Sequence, residues 1–295
     1  MKFINCFKNK VTMKKLMFCA LAVLGLVMTA CEKSSTDDQV SNSQTQEVLL
    51  TFSPYSVTPM TRAATSIADI CTHLDVWITD EDDNTIDLHQ SSDDDGFGSV
   101  SVALDRTKTY NLVAVAHKCT TDATLDDGVI SFPDDKVTHS MIYTAEFTPA
   151  TTTSLSCEMQ RIVGQFRLEI TDVVPEEVTK FTYTIDGTHS EWNIEGFAAN
   201  DFDRTGTINL TSRNNDGSAT LNIFVMPSDL TTTDAITISV SALTSNDDVV
   251  ETKTFTDVPL KASYKTTYHG EFFTTEQMSV SFSIDDLNAF DTINY

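Results

Sequence analysis

Apolar side chains recur at every second position along most of this chain, and that period restricts the backbone to extended strands. Leu74, Val76 and Ile78 alternate with Asp75, Trp77 and Thr79, and Phe166, Leu168 and Ile170 alternate with Gln165, Arg167 and Glu169. Successive side chains of a strand point to opposite faces, so these runs read as half-buried strands with one apolar and one polar face. Similar runs are Val48–Phe52, Ser99–Leu104, Tyr110–Ala116, Val129–Phe132, Ile142–Phe147, Phe181–Ile185, Ile208–Leu210, Leu221–Val225, Ile236–Val240, Val249–Phe255, Tyr268–Phe273 and Val280–Ile284. Almost no stretch carries apolar residues at the helical spacing of about 3.6, so the chain is expected to be all-β, built as sandwiches. Arg213-Asn214-Asn215-Asp216-Gly217, between two runs, supplies residues that tolerate positive φ and predicts a tight hairpin.

A different pattern precedes the strands. Leu16 to Cys31 read LMFCALAVLGLVMTAC behind Lys14 and Lys15: a basic segment, an apolar segment and a small-residue cleavage site ending in cysteine. This is the pattern of an exported lipoprotein, in which Cys31 becomes the first residue and carries acyl chains on its sulfur and amino group. In the box Met28-Thr29-Ala30-Cys31, Ala30 supplies the small side chain that a lipoprotein signal peptidase needs. The apolar stretch is too short to span a bilayer, which takes about 20 apolar residues. Residues 1–30 are thus read as signal peptide, with 1–12 an over-called start ahead of the second signal-like start at Met13. Residues 31–46 are rich in Ser, Thr, Asp and Gln without an aromatic residue, and read as a tether.

Charge narrows the partners. Residues 1–30 hold five lysines and no acid, so the remaining chain has 14 basic against 43 acidic side chains. Such a field repels phosphate backbones and anionic lipid, which excludes nucleic acid and leaves membrane attachment to the acyl chains. Beyond Cys31 the cysteines are Cys71, Cys119 and Cys157. Three thiols cannot all pair; Cys71 and Cys119 either form one bridge or remain buried thiols. Thr148 to Ser156, with its Thr-Pro-Ala-Thr-Thr-Thr-Ser core, separates two similar strand sets. We therefore expect an N-terminal sandwich over 47–156 and a C-terminal one over 157–295.

No catalytic chemistry stands out. Asp80-Glu81-Asp82-Asp83-Asn84 and Ser91-Ser92-Asp93-Asp94-Asp95-Gly96 invite a calcium reading. Aligning Gly96 at the sharp turn of a calcium loop, however, puts Ser91 where an Asp belongs and Val102 where the bidentate Glu belongs. His73, His89, His117, His139, His189 and His269 are scattered without spacing that converges on one metal, so no metal or cofactor is expected. There is no nucleophile elbow and no Gly-rich phosphate loop, and no catalytic residue is assigned. Trp77 and Trp192 lie on strand runs and suggest either core packing or a sugar-stacking platform, the latter giving an alternative reading as a surface glycan-binding lipoprotein.

Arg62-Ala63-Ala64, Leu74-Asp75-Val76-Trp77-Ile78, Gly96-Phe97-Gly98-Ser99-Val100, Tyr110 to His117 and Arg161-Ile162-Val163-Gly164, in that order behind a lipobox, resemble the fimbrillin superfamily of Bacteroidales. That superfamily includes FimA-type pilins and FimB-type anchors of type V pili. The resemblance implies two tandem transthyretin-like β-sandwiches and a structural, non-enzymatic, adhesion-supporting role at the outer membrane. It also implies assembly with other fimbrial subunits by strand exchange: an N-terminal strand completes the first sandwich, and an arginine-specific protease cuts behind it. A C-terminal strand of the next subunit then fills the groove.

On this pattern the first strand is Val48–Phe52 and the cleavage falls between Arg62 and Ala63. The donor is the end of the chain, where Met278, Val280, Phe282 and Ile284 alternate with serines. An ordinary loop arginine and a last strand pairing within its own domain are the competing readings. A stalk subunit would lose Cys31 with its leader, an anchor would keep both, and a tip adhesin with a host or glycan ligand is the third role.

Overall fold

The computed structural model describes residues 44–55, 66–211, 213–274 and 278–284. The strands are β1 (Thr45–Pro54), β2 (His73–Asp80), β3 (Thr85–Ser91), β4 (Ser99–Asp105), β5 (Tyr110–His117), β6 (Thr124–Asp126), β7 (Val129–Ser131), β8 (Ser140–Phe147) and β9 (Ser154–Arg161). They continue as β10 (Gly164–Ile170), β11 (Val178–Asn193), β12 (Phe197–Asn209), β13 (Ala219–Val225), β14 (Asp234–Thr244), β15 (Val249–Leu260), β16 (Tyr264–Gly270) and β17 (Ser279–Ile284). Two short 3-10 turns, Ile67–Asp69 and Pro133–Asp135, are the helical elements among the described residues. The protein is all-β, as the period of two predicts.

Three sheets carry these strands, in the orders β3-β2-β5-β8-β9-β1-β4, β13-β10-β16-β17 and β15-β14-β11-β7-β6, with β12 along β11. One apolar core draws on residues between Val48 and Met159, on the strands of the first sheet and the turns beside them. A second draws on residues between Phe166 and Met278, packed between the other two sheets. A third joins them: Trp77, Val113, Val115 and Ile142 pack with Trp192, Phe224 and Met226. The long β11 makes this junction, since its far end pairs with β7 through Trp192↔Ile130. The expected boundary at 156 falls inside β9, whose Cys157 and Met159 enter the first core.

Several expectations need correction. The alternation on β2 predicts one polar face, yet Asp75 and Trp77 are as buried as Leu74 and Val76. The segment after β5, with Cys119, Ala123, Ile130 and Phe132, closes over that face, a long-range contact that local period cannot report. The residues Asn214 to Ser218 do form a tight turn, with Gly217 at φ +83°. It is not a hairpin, because β12 pairs with β11 while β13 pairs with β10 in another sheet. Strands β3, β6 and β9 are not among the expected runs, although Ile86 and Leu88 on β3 and Leu155, Cys157 and Met159 on β9 do alternate.

Cys71, Cys119 and Cys157 are free and buried. Burial pushes the thiols of Cys71 and Cys157 up to about 12, so they are inert packing groups. The acidic clusters build turns. Asp80 Oδ1 accepts the backbone N–H groups of Asp82 and Asn84, each at 2.9 Å, and its Oδ2 takes Lys108 Nζ at 2.6 Å. Asp94 Oδ2 accepts the Ser91 N–H at 2.7 Å.

Candidate functional site

The first strand of the chain occupies a slot between two others. β1 runs antiparallel to β4 through seven residue pairs, from Thr45↔Asp105 to Thr51↔Ser99. It runs parallel to β9 through six, from Leu49↔Ser154 to Pro54↔Met159. Period-2 alternation sends Val48, Leu50 and Phe52 into the first core, each nearly inaccessible, while Glu47, Leu49 and Thr51 face out. Backbone bonds secure both ends of the slot: Arg106 N–H donates to Gln44 O at 2.9 Å, and Tyr55 N–H to Met159 O at 2.8 Å. The Phe52 N–H donates to Gly98 O at 2.8 Å. Gly98 itself sits at φ +88°, and a Cβ there would meet Ile67 Cγ2 at 2.7 Å, so this turn beside β1 requires glycine.

Three fully buried apolar side chains contribute about 1.5–3 kcal/mol each. With both ladders added, β1 accounts for a stabilisation comparable to a domain's whole net stability of about 5–15 kcal/mol. A slot of this kind does not stay empty in a folded sandwich: emptied, it exposes an apolar groove and two rows of unpaired backbone groups.

The last described strand is held differently. β17 pairs antiparallel with β16, from Tyr264↔Ile284 to His269↔Ser279, and forms the edge of its sheet. Ser279, Val280, Ser281 and Ser283 are all exposed, Val280 by 56%. Met278 is half-buried against the second core. Phe282 and Ile284 belong to β17 by backbone. Among the described residues, then, the N-terminal strand is deeply seated between two neighbours and the C-terminal strand is an edge paired with β16. Cys31, Arg62 and Ala63 lie outside the described residues.

The tryptophans are not a platform. Trp192 is inaccessible and Trp77 only 4% exposed, and both pack in the junction core. Their burial removes the observation behind sugar stacking. Sequence reasoning also missed Arg204, a buried cation on β12 that donates to Phe224 O at 2.7 Å and Val137 O at 3.3 Å and lies 5.7 Å over the Tyr183 ring. It ties the two halves through the backbone of each, and no local pattern announces it.

Residues 37–289 match the family model of fimbrillin-A associated anchor proteins Mfa1 and Mfa2. The chain belongs to this family of fimbrial anchor proteins. No curated protein matches its sequence. Among solved structures, one of the candidate polysaccharide binding proteins of Bacteroides thetaiotaomicron aligns at TM-score 0.53 and 10% identity, over 82% of this chain and 98% of that one. A candidate adhesin from Bacteroides ovatus aligns at TM-score 0.51 and 14% identity, over 83% and 96%. The fimbrial anchor protein Mfa2 from Porphyromonas gingivalis aligns at TM-score 0.44 and 10% identity, over 82% and 99%. Likeness at these identities concerns the fold. Membership in the fimbrial anchor family makes the chain a fimbrium-associated protein of the cell surface.

Proposed function

We propose that this chain is a lipid-held anchor subunit of a cell-surface fimbrium. It is exported as an outer-membrane lipoprotein on Cys31 and joined to other fimbrial subunits by β-strand exchange, in support of adhesion. The observation that carries the anchor reading is the match of residues 37–289 to the anchor family, and the seating of β1 supports it. That strand buries Val48, Leu50 and Phe52 between β4 and β9 and directly follows the tether that leads back to Cys31. A pull from the membrane would load β1 along its axis, so both ladders would resist together in shear. An anchor keeps this leader in place. At the other end of the described chain, the edge strand β17 pairs only with β16 and exposes Val280, which suits donation to a neighbour's groove.

On this reading the chain is built of two sandwiches, one about each of the first two cores, with β6 and β7 from the first half of the chain joined to β11 of the second. The family assignment favours a structural role, and no residue is given a catalytic one.

The mature N-terminus tests the reading. Mass spectrometry of the surface protein should find acylated Cys31 joined to an intact chain. An N-terminus at Ala63, abolished by Arg62→Ala, would instead make it a processed stalk pilin. For donation, Val280→Asp should leave folded stability within about 0.5 kcal/mol, as for an exposed position, yet abolish co-isolation of the neighbouring subunit. Unchanged co-isolation would remove β17 as donor.

A further inference from the structure

Sheet register gathers three histidines that the sequence scatters. His73 lies opposite His117, and Asp75 opposite His89. The His73 and His117 rings stack at 5.3 Å and 7°. Asp75, fully buried, is held from behind: its Oδ2 accepts His117 Nε2–H at 2.8 Å and the Ala123 backbone N–H at 2.9 Å. The Cys119 N–H donates to His117 Nδ1 at 3.1 Å, so the proton of that ring sits on Nε2. Burial alone would raise the Asp75 carboxyl, but hydrogen bonds from His117, His89 and Ala123 hold it below its ordinary value, as a carboxylate.

Its other oxygen, Oδ1, lies 2.6 Å from His89 Nδ1. The same Nδ1 is 3.9 Å from Asp122 Oδ2, on the segment between β5 and β6. His89 Nε2 meets Asp87 Oδ1 at 3.1 Å. A neutral imidazole has one N–H and cannot donate to carboxylates on both sides. Without a metal, Nδ1–H donates to Asp75 Oδ1; a divalent cation that displaces this proton meets the Nδ1 lone pair and the two carboxylates together. Three carboxylates around one imidazole also carry more negative charge than one added proton balances.

The ligand atoms of Asp75, His89 and Asp122 lie within 4.8 Å of one another. Binding one ion at bonds of about 2.0–2.2 Å would draw the two exposed side chains, His89 and Asp122, inward. Asp87 behind His89, and His117 behind Asp75, supply the outer contacts that orient metal ligands.

We propose that Asp75 Oδ1, His89 Nδ1 and an Asp122 carboxylate oxygen form a three-ligand site for a divalent transition metal of the zinc class. The ion ties the segment between β5 and β6 to β2 and β3, and its fourth position faces solvent. One nitrogen with two carboxylate oxygens suits such ions, whereas calcium takes an all-oxygen shell of six to eight ligands.

The test is a zinc chloride titration of the full chain in detergent, followed by calorimetry. One zinc ion per chain is expected. His89→Gln and Asp122→Asn, at partly exposed positions, should each weaken binding by about tenfold or more, while the loop variant Asp95→Asn leaves it unchanged. Zinc should raise the melting midpoint of the unaltered chain and leave that of His89→Gln where it was. Absence of saturable binding overturns the proposal, and so does binding that survives both substitutions.

Discussion

If β1 is part of the first core rather than a strap across it, truncating its inward side chains must cost far more than truncating its outward ones. Leu50 and Leu49 make the comparison clean, because they are adjacent on one strand and within the same two ladders. Leu50 is inaccessible in the first core, whereas Leu49 is 45% exposed. Leu50→Ala removes three buried carbons from a position flanked on both sides by paired strands, where little collapse can refill the space. Core Leu→Ala substitutions cost about 2–5 kcal/mol, and this site belongs in the upper part of that range, at about 3–4. Leu49→Ala should cost about 0.5 kcal/mol, mostly strand propensity. With a urea slope of about 2 kcal/mol per molar, Leu50→Ala should lower the unfolding midpoint by more than about 1 M, and Leu49→Ala by a small fraction of that. Tryptophan fluorescence reports the transition, since Trp77 and Trp192 are both buried. Midpoints for the two variants that agree within error would refute the seating of β1 and with it the load path proposed for the anchor.

His139 gives a pH dependence with a definite sign. Burial, then the positive charges of Arg161 and Lys118, lower its pKa from 6.5 to about 2, and its buried Nδ1 has no hydrogen-bond partner. Below pH 6.5 the unfolded chain takes up a proton that the folded chain refuses, so stability falls with falling pH; above it the ring is neutral in both states. The loss should reach about 3 kcal/mol by about pH 4.5, measured as the difference between the pH profiles of the native chain and His139→Leu. Identical profiles would show the ring to be solvated. Arg204→Met should cost about 2–3 kcal/mol, because two charge-assisted bonds to Phe224 O and Val137 O are lost. Chemical denaturation checks it, and a cost below about 0.5 kcal/mol would mean that Arg204 does not tie the halves.

Period-2 alternation was enough to establish strand after strand, because a side chain's face is decided by its immediate neighbours in sequence. Leu50 and Phe166 can be placed in a core from the sequence alone, and the order of family-like segments can be read there too. The polar members of the same pattern could not be placed. Asp75 and Trp77 look outward by period and are buried, because a segment some 45 residues further on covers them. The turn at Gly217 was legible, but not its partners, since a turn's residues report φ and say nothing of which strands the flanks will join. The lone histidines were equally opaque. His89 and His117 meet at Asp75 only through the order β3-β2-β5, and that order follows from which strands the whole core can bury together. Sequence by itself determined the extended, two-faced strands, which are local properties of the chain. The depth of β1, the edge position of β17 and the cluster around Asp75 were decided by tertiary structure, because pairing and coverage between distant segments are long-range events.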